Sequence, residues 1–193
     1  MKEIDRLPGA LLWFLGVVAV AGITHIITIF ALPEIAATST AARISELAKP
    51  GQLTPLPAAG DNKQGMPFAD PAMVQSVCPF DLSQGGLRMH ADVEGGGLLT
   101  FSFRTTAGQV FYSMTDLAAH KGKIDVVVLT AAQLEIVETE DDEDDPSQDL
   151  RLVAPEPQGF VIVSALSVYQ SDRAEAEERV KSVACGNEQI AQN

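Results

Sequence analysis

Residues Leu7 to Leu32 carry no charge over 26 consecutive positions, and no other feature restricts the fold as much. At about 1.5 Å per residue, a helix of that length exceeds the roughly 30 Å of hydrocarbon in a bilayer. Leu, Val, Ile, Ala, Gly and Phe dominate the run, with Pro8 near its start and Thr24, His25 and Thr28 in its second half. The run therefore predicts a single membrane-spanning helix. Lys2, Arg6 and the amino terminus flank its start, whereas the next basic residues beyond it are Arg43 and Lys49. That asymmetry puts the N-terminus in the cytoplasm and residues 34–193 outside. Ser39-Thr40-Ala41 has the small-x-small form of a cleavage site, but a signal-peptide core spans only about 7–15 residues. Residues 1–33 read as a cytoplasmic stub and an uncleaved signal anchor.

His25 is the sharpest residue in the anchor, because an ionisable side chain at membrane depth is a functional candidate by default. At 100° per residue, Ala21, Thr24, His25, Thr28 and Ala31 share one side of the helix. Ile23, Ile26, Ile27 and Phe30 cover much of the other side. A small, polar stripe favours close approach of another helix over contact with lipid. The expected partners are thus the bilayer and, along the stripe, a membrane helix or a second copy. The plainer alternative is a neutral His25 bonded within its own helix.

From residue 34 onward there are 24 acidic and 11 basic residues. A domain so charged is repelled by nucleic acid and by anionic headgroups, which excludes both as partners. Nine of the acids fall between Glu135 and Asp149, with Glu140 to Asp145 unbroken. The spacing lacks the D-x-[DN]-x-[DN]-G calcium pattern, so 138–149 reads as a solvated acidic loop. Cys78 and Cys185 have no C-x-x-C spacing. In an oxidising compartment they could pair across 107 positions, worth about 4–5 kcal/mol; two buried free thiols are the alternative.

Residues 34–66 read as a juxtamembrane helical segment, Ala36 to Ala48, followed by a Pro/Gly-rich linker from Pro50 to Pro67. The remainder, 67–193, reads as one domain. Asp70-Pro71 suggests a helix start, giving a short helix over Pro71 to Val77. From there the period is two. Leu87 to Val93, Leu99 to Arg104 and Val110 to Met114 alternate as half-buried strands, and Val126 to Leu129 reads as a central strand. Thr130 with Gln133 forms a capping box for a short helix. Strands follow at Leu150 to Ala154 and Gly159 to Val168. A last helix presents Ala176, Val180 and Val183 on one face and the pairs Glu175–Arg179 and Glu177–Lys181 on the other. The expected fold is mainly β: one transmembrane helix, then an antiparallel sheet or sandwich of consecutive hairpins with a C-terminal helix.

Several stretches are similar to a known family. Asp70-Pro71-Ala72 leading to Val77-Cys78-Pro79-Phe80-Asp81-Leu82-Ser83 resembles a motif of the bacterial domain of unknown function 1254 family. Val110-Phe111-Tyr112-Ser113-Met114-Thr115-Asp116 resembles its F-Y-S-x-x-D strand end. Ile124 to Val128, Thr130 to Leu134 and Gly159 to Val163 follow in the family's order, and His25 to Pro33 is similar to its short, membrane-anchored members. Pro79 stands where an arginine is usual, and Leu98-Leu99 replace a common aromatic. The resemblance implies a bacterial inner-membrane protein with a β-rich periplasmic domain, and it implies no known activity.

The residues offer little chemistry. No G-x-S-x-G is present, and Ser113 and Ser164 lie in strands without a neighbouring histidine. His25, His90 and His120 are too scattered for a metal set, and no cofactor or metal is expected. His90 falls on the polar face of its strand, and His120 adjoins Lys121 in a loop; both read as surface residues. Asp81, Tyr112 and Asp116 are the polar members of the family-like motifs and the candidate ligand-binding residues. Asp81 and Asp116 also suit turn capping, and Tyr112 suits packing at a sheet edge. The leading functional expectation is a non-enzymatic envelope interaction protein; a periplasmic small-ligand-binding module is second and an enzyme third. A concave pocket holding Asp81, Tyr112 or Asp116 would favour the ligand-binding reading. A sheet interior filled by Leu99, Phe101, Phe103 and the valines would favour the interaction reading.

Overall fold

The computed structural model describes residues 6–58, 69–93, 97–140 and 149–190. The acidic run Asp141 to Asp145, Gly95-Gly96 and the second half of the Pro/Gly-rich segment lie outside the described residues. The chain separates into two units, Met1–Ser39 and Thr40–Asn193.

The first unit is helical, formed by the N-terminal part of α1 (Arg6–Leu47). Its segment Gly9–Leu32 has mean hydropathy 2.3 and none of it is buried. That length and composition suffice to cross a membrane, as an anchor or a signal sequence does. Ala21, Thr24, His25, Thr28 and Ala31 are all exposed. The Thr28 hydroxyl is satisfied inside the helix, donating to the Thr24 carbonyl at 2.8 Å.

The second unit is a β-sandwich. One sheet has five strands in the order β1-β2-β8-β4-β5, namely Thr54–Pro55, Met73–Asp81, Gln158–Leu166, Leu99–Thr105 and Val110–Thr115. The other has four in the order β7-β6-β3-β9, namely Leu150–Val153, Lys123–Leu129, Gly86–Asp92 and Ala184–Glu188. Alternation sends Leu99, Phe101 and Phe103 inward from β4, and Leu87, Met89 and Ala91 inward from β3, into one core with Val126, Val128, Val161 and Val163. At about 25 cal/mol per Å² of apolar area, this shared interior is the main source of stability. The Cys78–Cys185 disulfide ties β2 of one sheet to β9 of the other. Helix α3 (Arg173–Lys181) adds Ala176 and Val180 to the same core. Glu177 lies 3.5 Å from Arg173 and 3.7 Å from Lys181 on its outer side. A second, smaller core forms on the outer face of the five-stranded sheet, where Ile44 and Ala48 meet Val77 and Phe160.

The capping box forms as read. Thr130 N donates to Gln133 Oε1 at 2.9 Å and Gln133 N to Thr130 Oγ1 at 3.2 Å, opening α2 (Ala131–Glu140). Elsewhere the structure differs from the sequence reading. Asp70-Pro71 starts a turn and not a helix: Asp70 Oδ1 accepts from Ala72 N at 2.9 Å, and β2 begins at Met73. The segment from Met73 is buried on both faces, Val77 outward under Ile44 and Cys78 inward, so its pattern has no period of two to read. The expected linker begins as sheet. Gly51 N donates to Pro79 O at 2.8 Å and Leu56 N to Gln75 O at 2.9 Å, which makes residues 51–56 the sheet's edge. Pro55 is tolerated there because an edge strand can spare a donor.

Strand order is interleaved, unlike the expected run of consecutive hairpins. β8 lies between β2 and β4, and β6 pairs with β7 in parallel, with α2 as the crossover. Gly159 permits the first of these close approaches, since a Cβ there would collide with the Arg104 carbonyl oxygen and the Phe80 ring. The last helix is followed by β9, which carries Cys185 beside Met89.

Candidate functional site: a cleft at the open corner of the sandwich

β7 pairs with β6 only along Val126 to Leu129. Among the described residues, Lys123, Ile124 and Asp125 therefore have no strand neighbour on that side. β5, the outermost strand of the facing sheet, overhangs the same corner and leaves a cleft of about 770 Å³. Arg88 and His90 enter from β3, Tyr112 and Met114 from β5, and Asp149 from the start of β7. Lys121 comes from the turn between β5 and β6. The volume falls in the roughly 300–1,000 Å³ range of small-molecule sites.

The turn is a two-residue hairpin. His120 N donates to Lys123 O at 2.9 Å and Lys123 N to His120 O at 3.0 Å. Its central residues have φ of 52° at Lys121 and 76° at Gly122, the pair of left-handed values that a type I′ turn requires. Gly122 suits that geometry. Lys121 is the one non-glycine residue with positive φ among those described.

Arg88 organises the acids. Its Nε donates to Glu188 Oε2 at 2.9 Å and its Nη2 to Asp149 Oδ2 at 3.3 Å, while Nε lies 3.6 Å from Asp125 Oδ1. Burial disfavours the charged guanidinium, but the carboxylates of Glu188, Asp125 and Asp149 together outweigh it and raise its pKa. Asp149 is also 3.5 Å from Arg151 Nε. Asp92 Oδ1 lies 3.8 Å from His90 Nε2 and 4.0 Å from Lys123 Nζ.

Tyr112 packs on the core ring of Phe103 with centroids 6.0 Å apart, so a rigid aromatic wall faces the polar groups. Met114 and Ile124 supply further apolar surface. These groups can clasp a small molecule by ring contact, apolar contact and hydrogen bonds from cations. Among the described residues, no three His, Cys, Asp or Glu side chains converge as a metal set.

The three candidates from sequence do not come together. Tyr112 lines the cleft. Asp81 lies at one end of the five-stranded sheet, where Phe80 pairs with Gly159 and Gly159 with Thr105. Asp116 follows β5 at the opposite end, where Gln75, Ser164, Thr100 and Thr115 align. Asp81 is a turn cap: Oδ1 accepts from Ser83 N at 3.0 Å and Oδ2 from Gln158 Nε2 at 2.9 Å. Hydrogen bonds from Ser83, and then from Gln158, lower its pKa. Asp116 opens a single 3₁₀ turn capped by Thr115, and its buried Oδ1 has no hydrogen-bond partner among the described residues. His90 and His120, read as surface residues, both line the cleft. Arg88, Lys121, Lys123, Asp125 and Asp149 also line it, and no binding motif in the sequence marks them.

The chain matches no family model and no curated protein. Its fold is similar to that of the VPA0106 protein from Vibrio parahaemolyticus, with a TM-score of 0.54 at 7% identity. The match covers 83% of this chain and 40% of that protein. An uncharacterised protein from Burkholderia cenocepacia aligns over 60% of this chain and 32% of its own, with a TM-score of 0.41 at 14% identity. The chain thus spans well under half the length of either. The first likeness shows a shared fold.

Proposed function

We propose that this chain is a membrane-anchored, non-enzymatic binding module of the domain of unknown function 1254 family, whose β-sandwich lies in the periplasm and takes a small ligand in the corner cleft. One observation carries the reading: a cleft of about 770 Å³ in which Tyr112 faces converging polar groups, at a place where the strand pairing leaves the sandwich open. The sandwich interior itself is filled by Leu99, Phe101, Phe103 and valines, so the corner is where a ligand fits. The filled interior suits an interaction surface equally well, but the cleft favours the small-ligand form. The order and spacing of the family-like motifs support the family, and the flanking charges of the apolar helix support the sidedness.

Two measurements test it. A phosphatase that is active only outside the cytoplasm, fused after residue 193, is expected to be active in intact cells; an inactive fusion reverses the topology. Full-length protein in lipid nanodiscs, screened by fluorine NMR against a library of fluorinated fragments, is expected to yield binders that Tyr112→Ala abolishes. If no binder depends on Tyr112, the cleft is not the site.

A further inference from the structure

Resting on the cleft reading above, we infer that the ligand is a small amphipathic anion, an apolar or aromatic body bearing one carboxylate, held by Lys121. Net charge argues against this at first sight, since the chain carries −13 overall. Inside the cleft the balance is different. The two acids that line it, Asp125 and Asp149, are both held by Arg88, and Asp149 also by Arg151. The lining itself carries three cations, Arg88, Lys121 and Lys123, against those two acids. Arg88 is committed to three carboxylates.

What remains is cationic. Among the described residues, Lys123 has only Asp92, 4.0 Å away and itself shared with His90. Among the described residues, no carboxylate lies within 4 Å of Lys121. Among the described residues, its ammonium is therefore the lining cation without an acidic partner. Opposite stand the Tyr112 ring and the apolar surface of Met114 and Ile124. A carboxylate against Lys121 and a flat apolar body against Tyr112 would satisfy both walls at once.

The backbone supports the same assignment. A residue with a Cβ in the left-handed region costs roughly 1–2 kcal/mol, and asparagine or glycine is the ordinary choice at this place in a type I′ turn. A long cation stands here instead, at φ 52°, in the turn that borders the cleft. Strained residues gather where a side chain has a task beyond the fold.

The test uses the full-length protein in nanodiscs and a fluorinated library made of carboxylates paired with their neutral amide isosteres. Carboxylates are expected to dominate the binders. Lys121→Gly, which the turn geometry favours, is expected to weaken them about tenfold, the loss of one charge-assisted hydrogen bond. Lys121→Arg is expected to retain them, and Lys181→Gly on α3 to leave them unchanged. Carboxylates indifferent to Lys121, or amides that bind as well as their acids while Tyr112→Ala abolishes both, overturn the ligand class and leave the cleft standing. Absence of any binder sensitive to Tyr112 overturns the cleft reading and this inference with it.

Discussion

Lys121 and Asp81 show two opposite relations between a side chain and its backbone. Lys121 occupies a conformation that asparagine adopts at lower cost, so Lys121→Asn is expected to stabilise the fold by about 0.5–1 kcal/mol in chemical unfolding. Asp81 is the better-matched case, because its carboxylate caps the turn at Ser83 and holds Gln158. Its pKa is lowered in the folded protein, so its contribution is present above the ordinary carboxyl pKa of about 3.9 and is lost as pH falls through the lower folded value. Asp81→Asn is expected to flatten stability against pH in that acidic window, read by unfolding at pH 2 to 5; an unchanged profile would contradict the assigned hydrogen bonds. Sequence could name Tyr112 through its motif, whereas His90 and His120 read as surface residues. It could not group the three with Arg88 and Asp149, whose contact spans 61 positions and exists only once β3, β6 and β7 are side by side.

Elements with a strong local signal were readable and those without one were not. β4, whose burial alternates over all of Leu99–Thr105, is visible in its residues. The reciprocal bonds of Thr130 and Gln133 are equally local, and Gln133 Nε2 adds a bond to Leu82 O at 2.8 Å. Thr130→Ala is expected to cost about 1 kcal/mol, measured by thermal unfolding. β9 shows the converse: Ala-Cys-Gly-Asn-Glu has no apolar period, and only its ladder with β3 makes it a strand. In α1, the Thr28 hydroxyl is already bonded to Thr24, so any pairing of this helix would rest on shape and on His25 more than on Thr28. A photo-crosslinking residue at position 28, irradiated in intact cells, is expected to give one discrete protein adduct. Lipid adducts alone would reduce the helix to a tether.

In the whole molecule, order along the chain and order in space disagree. β2 waits for β8, with Cys78 against Val161, and β3 joins β9, with Met89 against Cys185. The disulfide then closes 107 positions. Replacing both cysteines with serine is expected to cost roughly 4 kcal/mol, seen as a large fall in the denaturant midpoint; a loss under about 1 kcal/mol would show that the ladders alone hold the sheets together. The mainly β class was legible because alternation is local, whereas the interleaved order was not, because it depends on which distant ladders bury the most surface. Such an order also acts as a clock. The five-stranded sheet waits for β8, which ends at Leu166, the four-stranded sheet waits for β9, which ends at Glu188, and long-range pairing is slow in any case. Until β9 is made the disulfide cannot tie the two sheets together, and the chain before it stays a pliable thread.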